Sequence, residues 1–196
     1  MNPTHYSPAQ RMHINDLEVA RRKELFGFTA RDAELLAACR PCIAARTDEL
    51  VGRFFSLQTE IAEVAEIIGD ADTLRRLRGE LSRYVSDLFS GDYGAAYVND
   101  RLHIGMIHKR LAIEPKHFLA AMHLLKHLLL EVLDTHLGAG PLREATRQAL
   151  DKLFHFDTGL VFDTYIHSLL AEVEAARNEA IRHALSLEEQ IAERTR

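Results

Sequence analysis

Apolar residues recur at spacings of three and four along most of this chain, which is the pattern of helices with one buried face. No segment shows the alternation of apolar and polar residues between turn residues that predicts a strand. The pattern therefore predicts an all-α protein. The clearest apolar stripes are Leu74, Leu77, Leu81, Val85 and Leu88, then Phe118, Met122, Leu125, Leu129 and Val132 or Leu133, then Leu150, Leu153, Phe154, Leu160, Val161, Tyr165 and Leu169.

Capping residues and helix breakers place the ends of the predicted helices. Asn, Thr and Asp satisfy free N–H groups where a helix starts, proline fits the first turn, and glycine ends a helix. The result is a set of about seven helices whose last two are long and joined by a tight turn, an arrangement compatible with a globin. Starts are indicated at Asn15, Thr29, Thr47, Asp72, Pro115 and Pro141, and breaks at residues 91–94 and 138–140.

Length and composition narrow the class of protein. The chain has 196 residues, 47% of them hydrophobic, and can bury a single substantial core. Its net charge of −5 comes without a basic patch that contains aromatic residues, so no nucleic-acid partner is expected. The longest apolar run, near residues 124–133, contains Lys126, His127 and Glu131 and is too polar to span a bilayer. No N-terminal targeting segment is evident, so a cytoplasmic protein is expected.

The last part of the chain changes character, because charged residues dominate after Glu172. Apolar positions there repeat every seven residues over about three heptads, which favours a parallel two-helix stalk. We expect a mobile N-terminus over residues 1–14, one domain over 15–175 and a helical tail over 176–196, in a chain that is a fragment of a longer protein. The heptad positions are Val173, Ala180 and Leu187, accompanied by Arg177, Ala184 and Ile191.

One histidine lies where a ligand of a flat cofactor could be placed. His108 belongs to a short helix that is flanked by basic residues and followed by Pro115. Gly105, three residues earlier, predicts open space beside the imidazole ring, where a macrocycle could approach. A partly buried histidine with a purely structural role fits the same position. The residues alone leave both interpretations open.

A longer motif surrounds this histidine: Arg101, Ile104, Gly105, His108, Arg110, Pro115, Lys116 and Phe118. It resembles the proximal segment of the globin-coupled sensors, which are bacterial haem globins fused to signalling outputs. The resemblance extends from about residue 20 to residue 175. It implies a globin fold of the globin-coupled sensor type, with an extra N-terminal helix and a C-terminal signalling helix, and haem b (iron protoporphyrin IX) as the cofactor.

The resemblance also implies the site. His108 would be the metal ligand, binding iron through Nε2 while the Ile104 carbonyl accepts a hydrogen bond from its Nδ1–H. A diatomic gas would bind the iron, with O2 expected ahead of CO and NO. Other residues expected to contact the cofactor are Phe55, Leu77, Leu81, Gly105, Phe118 and Met122.

Phe55 departs from the family, which commonly has a tyrosine there whose hydroxyl donates to bound oxygen. Phe55 has no donor, and Leu77 and Leu81 are apolar, so this side of the site is expected to be apolar. Oxygen should then be released faster, while carbon monoxide is less affected. Tyr84 or a water molecule stays open as an alternative donor.

By the same resemblance the chain is a sensor and not an enzyme. It would transmit ligation and redox state through a homodimer of its two long C-terminal helices, and through the tail, to an output module such as a histidine kinase or diguanylate cyclase. The alternative is a haem-free globin-like interaction module of a stress-signalling assembly, which a colourless protein would favour. A nitric-oxide dioxygenase is a third interpretation, but no reductase segment accompanies the globin-like region.

The two cysteines and the other histidines give weaker patterns. Cys39 and Cys42 form a CxxC without the second pair that a four-thiolate zinc site needs, and we interpret them as small packed residues. His123 and His127 are four residues apart, but no further ligands follow in a zinc-like pattern, so a metal site is not expected. His103 is expected on the solvent side of its helix.

Overall fold

Short connections join ten helices in residues 6–194, the part of the chain that the computed structural model describes, and no strand occurs in that range. The predicted all-α class is therefore confirmed, as is the pair of long C-terminal helices. The helices are α1 (Pro8–Arg11), α2 (Asp16–Leu25), α3 (Ala30–Ala38), α4 (Arg40–Ala44), α5 (Thr47–Gln58), α6 (Ala62–Ile68), α7 (Ala71–Leu88), α8 (Ala95–Arg110), α9 (Pro115–Leu137) and α10 (Pro141–Arg194).

Side-chain caps explain where several helices start. Asn15 Oδ1 accepts the N–H of Glu18 at 2.9 Å at the start of α2. Thr29 Oγ1 accepts the N–H of Asp32 at 3.3 Å at the start of α3. Both predicted starts are confirmed. α7 begins slightly earlier than predicted, because Asp70 rather than a later residue accepts the N–H of its third residue.

Three short helices are missing from the predicted set. α4 and α6 follow Cys39 and Ile61, neither of which makes a side-chain cap, and the start of α4 is marked only by Pro41 in its first turn. α1 lies in the segment expected to be mobile, yet Ala9 is buried and its N–H donates to Asn99 Oδ1 at 3.0 Å. Residues 1–5 of that segment lie outside the described residues.

The centre of the core is formed where α8 packs against the first half of α10. Val98 and Leu102 of α8 are completely buried, as are Leu150 and Leu160 of α10. Each such side chain contributes about 1.5–3 kcal/mol through removal of apolar surface from water. α8 is 16 residues long, so the helix of His108 is longer than the short helix predicted.

α10 is 54 residues long, and its buried residues end at Thr164. Beyond Thr164 every side chain that the structure describes is at least partly exposed. Residues 195–196 of the predicted tail lie outside the described residues. None of the helices within residues 6–194 combines the length and apolar content that crossing a bilayer requires.

Candidate functional site

A cleft lined mainly by apolar side chains opens between two walls of helices. One wall comes from α5, α6 and α7, and the other from α8, α9 and the turn between them. The cleft contains about 1240 Å³ of empty space, part of which is open solvent at its mouth. Seven of the eight residues predicted for the site line this cleft: Phe55, Leu77, Leu81, Ile104, His108, Phe118 and Met122.

His108 offers an unprotonated ring nitrogen on the cleft side of α8. Its Nδ1 lies 2.8 Å from the carbonyl oxygen of Ile104, as predicted. A carbonyl only accepts hydrogen bonds, so Nδ1 carries the proton and Nε2 keeps its lone pair. Burial lowers the pKa of the imidazole, and the hydrogen bond to Ile104 opposes that effect only in part. The ring is therefore neutral near pH 7 and able to bind a metal.

Neighbouring groups fix the end of α8 that carries this ring. Phe118 packs edge-to-face against His108, with 5.5 Å between the ring centroids. The carbonyl of His108 accepts the N–H of Ile113 at 2.9 Å, which closes the turn after α8. Tyr165 of α10 then donates to the carbonyl of Ile113 at 2.7 Å. The position of the imidazole thus depends on both α9 and α10.

Gly105 does not border the cleft, so the prediction of open space beside the ring is wrong. A Cβ atom at Gly105 would lie 2.3 Å from Oγ1 of Thr164. The glycine instead allows α8 and α10 to approach closely. The sequence shows where a side chain is missing, but not which neighbouring helix fills the space.

The wall formed by α5 and α7 carries the predicted apolar residues and one buried amide that the sequence reasoning missed. Phe55, Leu77 and Leu81 line the cleft as expected, and Gln58 lines it with them. Gln58 is only 5% exposed. Its position three residues after Phe55 places both on one face of α5, and this spacing is the feature that could have revealed it. The wall is therefore not purely apolar.

Tyr84 also lines the cleft, but its hydroxyl proton is committed elsewhere. The hydroxyl donates to Asp157 at 2.8 Å, and Tyr97 donates to the same carboxylate at 2.8 Å. Arg101 donates to Asp157 at 3.0 Å and lies between the two tyrosine rings. Burial raises the pKa of Asp157, and the guanidinium opposes that shift. A phenol has one proton, so Tyr84 is not a free donor for a ligand in the cleft.

The histidine pair and the cysteines form no second site in the part of the chain that the structure describes. His123 and His127 are exposed, and within that part no group of three or more His, Cys, Asp or Glu side chains could hold a metal ion. His103 is exposed, as predicted. The Cys42 thiol donates to the carbonyl of Cys39 at 3.0 Å, and burial raises the pKa of Cys39 to about 11. A raised pKa keeps a thiol protonated near neutral pH.

The donor set of the cleft fits a haem iron. A neutral imidazole whose Nδ1–H is held by a carbonyl is the histidine state that haem iron binds. The rest of the cleft is lined mostly by aliphatic and aromatic side chains, which suit the faces of a porphyrin. Exposed polar residues, Arg76 and Glu80 among them, lie at the mouth.

Comparison with known proteins supports this assignment. A family model described as Protoglobin matches residues 15–171. The heme-based aerotactic transducer HemAT of Halobacterium salinarum is 28% identical over 171 residues, which are 82% of this chain and 35% of the transducer. The chain thus spans about a third of the length of that relative.

Solved globin domains share the fold. The globin domain of the Geobacter sulfurreducens globin-coupled sensor aligns with a TM-score of 0.71 at 23% identity, covering 74% of this chain and 96% of that one. The ferric globin domain of E. coli DosC aligns with a TM-score of 0.64 at 14% identity, covering 73% and 98%. These likenesses confirm the globin fold. Because the family model matches most of its length, the chain belongs to the protoglobin family, which confirms the resemblance to globin-coupled sensors.

Proposed function

We propose that this chain is the haem-binding gas-sensing part of a signalling protein, with haem b bound through His108 Nε2 and O2 as the ligand sensed. One observation carries the proposal: a neutral, partly buried imidazole, whose Nδ1–H is donated to the Ile104 carbonyl, borders a largely apolar cleft. The name of the relative HemAT, a heme-based aerotactic transducer, supports the same class. Haem, when bound, supplies an iron whose open position takes a diatomic gas such as O2, CO or NO.

The residues of the chain would hold the cofactor and keep water away from it. Phe118 and Met122 cover the wall that carries His108, and both are buried. Phe55 and the leucines of α7 cover the other wall. Exclusion of water from this space slows loss of the ferrous state and strengthens polar contacts to a bound gas.

Direct contacts between α8 and α10 support a route from the cleft to the tail. Thr164 packs against Gly105, one turn before His108. Tyr165 bonds the turn that closes α8. If gas binding were to shift the imidazole, these contacts would pass the shift from α8 to α10. Ligation then changes the balance between two arrangements of α10, provided the ligand favours one of them.

We further propose that residues 15–175 form the sensor domain and that residues 176–196 form the linker to an output module such as a histidine kinase or diguanylate cyclase. We also propose that α9 and α10 form a homodimer interface. Exposed apolar residues along α10 support the interface, because a row of them is usually covered by a partner. They include Ile166, Leu169, Leu170, Val173, Ile181, Leu185 and Leu187.

Haem binding is tested with His108→Ala in protein supplied with haem. We expect the intense violet absorption band to be lost and free imidazole to restore it, because the small molecule fits the space left by the side chain. His103→Ala is the matched control, since it removes an exposed histidine from the same helix. A spectrum that is identical in His108→Ala and the wild type would contradict the proposal.

The dimer is tested by sedimentation equilibrium. Leu169→Glu combined with Leu170→Glu should shift the protein toward monomer, because charge is placed on the exposed apolar row. Leu17→Glu is the control, since Leu17 is even more exposed but belongs to α2. A wild-type protein that stays monomeric at high concentration would contradict the interface without affecting the haem proposal.

A further inference from the structure

A buried amide without a hydrogen-bond partner borders the cleft. Gln58 is the last residue of α5, is 5% exposed, and makes no side-chain hydrogen bond with any described residue. The amide is nevertheless not completely enclosed by other atoms of the core. Among the described residues, the side-chain polar atoms that are fully enclosed without a partner belong to Arg101 and Asp134. The Gln58 amide therefore faces the free space of the cleft that it lines.

Burial of an amide without a hydrogen bond destabilises a fold, so a leucine or methionine would suit this position better if it served packing alone. The neighbours of Gln58 on the same face, Phe54 and Phe55, are apolar and buried. An amide carries two N–H donors and one acceptor, and all three are open to whatever occupies the cleft. The placement indicates a group that binds a ligand.

The other polar residues of the cleft do not offer a free buried donor. Tyr84 gives its proton to Asp157. Thr73 bonds Asp70 at the start of α7. Arg76 and Glu80 are exposed at the mouth, and His117 is half-exposed in the first turn of α9. Gln58 alone among the described lining residues, apart from His108, combines burial with an uncommitted nitrogen.

We propose that Gln58 Nε2 donates a hydrogen bond to oxygen held in the cleft, in place of the hydroxyl that Phe55 lacks, and so sets the preference for oxygen over carbon monoxide. The inference rests on the proposed function, because it needs a gas bound opposite His108. Oxygen develops partial negative charge when it binds ferrous haem, whereas carbon monoxide stays nearly neutral. A neutral amide therefore stabilises oxygen more than carbon monoxide.

The test compares Gln58→Leu with the wild type in the ferrous, haem-loaded protein. Oxygen dissociation should become about fivefold faster and carbon monoxide dissociation should change less than twofold, as expected for loss of one net hydrogen bond. The C–O stretching frequency of the carbonyl complex should rise, because a donor near the gas is removed. Gln148→Leu, at an exposed glutamine of α10, is the matched control.

A second measurement separates ligand binding from packing. In the haem-free protein, Gln58→Leu should leave the urea midpoint unchanged or raise it, because an unpaired amide is replaced by an apolar side chain. A lower midpoint together with unchanged gas kinetics would assign Gln58 a structural role and overturn the inference. Faster oxygen release in Tyr84→Phe but not in Gln58→Leu would assign the donor to Tyr84 instead. Failure of the wild type to take up haem would contradict the proposed function. That outcome is distinct from the results that would overturn the role of Gln58.

Discussion

Phe55 is the position where one added oxygen atom should change gas binding most. Its ring is buried, lines the cleft and packs edge-to-face on Phe54 at 5.2 Å. Phe55→Tyr adds a hydroxyl to the wall that faces His108, and a hydrogen bond to partly charged oxygen should slow its dissociation about fivefold. Stopped-flow displacement of oxygen from the ferrous protein measures this rate.

Carbon monoxide serves as the internal control for Phe55→Tyr. It accepts hydrogen bonds poorly, so its dissociation rate should barely change. Equal slowing of both gases would mean that the added hydroxyl narrows the cleft and does not donate to the ligand. If both groups donate to the same oxygen atom, Phe55→Tyr should slow oxygen release more in the Gln58→Leu protein than in the wild type, so the two effects should not be additive.

Predictions about single residues are confirmed where they depend on the geometry of one helix, and are wrong where they depend on a residue far away in the sequence. The hydrogen bond between His108 and Ile104 follows from helix geometry, since residues four apart are neighbours, and the structure confirms it. The role of Gly105 depends on Thr164, 59 residues away in sequence, and no local pattern indicates that contact. Gln58 was missed because a single polar residue at a helix end is also typical of a solvated turn.

At the scale of elements, the close approach of α8 and α10 depends on Gly105. Gly105→Ala would place Cβ 2.3 Å from Thr164 Oγ1 and 3.0 Å from its Cγ2, so the helices must separate or Thr164 must move. We expect a loss of about 1–3 kcal/mol in the free energy of unfolding, which is typical of an overpacked core. Urea unfolding measures it, and Gly105→Ala combined with Thr164→Ala should recover much of the loss.

Gly79→Ala is the matched control for the glycine substitution. Gly79 lies within α7, and a Cβ there would meet no atom within 4 Å. Alanine should stabilise that helix by about 0.5–1 kcal/mol because it has less freedom to lose on folding. If Gly105→Ala proved as harmless as Gly79→Ala, the tight contact between α8 and α10 would be refuted.

Several of the helices that the sequence predicted have a chemical marker at their start. Asn15 and Thr29 accept N–H groups, and Pro115 and Pro141 occupy first turns, so α2, α3, α9 and α10 could be placed in advance. α4 and α6 lack side-chain caps and are too short for apolar periodicity to appear. Their existence depends on packing against other helices, which only the assembled fold determines.

At the scale of the whole molecule, ion pairs attach separate helices to the first half of α10. Lys152 lies 3.0 Å from Asp32 of α3, and Lys126 of α9 lies 2.7 Å from Asp151. Arg22 of α2 pairs with a further carboxylate of α10, Asp163. Because Asp32 is buried and also caps α3, its charge state should affect the stability of the entire fold.

Stability should therefore fall on acidification in a way that depends on Asp32. Burial alone would raise the pKa of this carboxyl, but bonds from Thr29 and Lys152 lower it below its ordinary value of 3.8. In acid, the folded state therefore binds fewer protons than the unfolded chain. The stabilisation by Asp32 is complete above the pKa that this carboxyl has in the unfolded chain, and it is lost as the pH falls through the lower pKa of the folded state. Asp32→Asn should lower the free energy of unfolding by about 1–2 kcal/mol at neutral pH and by progressively less in acid.

Urea unfolding of the wild type and Asp32→Asn, at neutral pH and at several pH values below about 4, measures this difference. Other carboxyls titrate in the same range, so the informative quantity is the gap between the two proteins and not the slope of either. Asp72→Asn is the control, because its pair with Arg75 is exposed and such pairs contribute little. A gap for Asp32→Asn that stays constant from neutral to acid pH would show that the carboxylate charge does not hold α3 against α10.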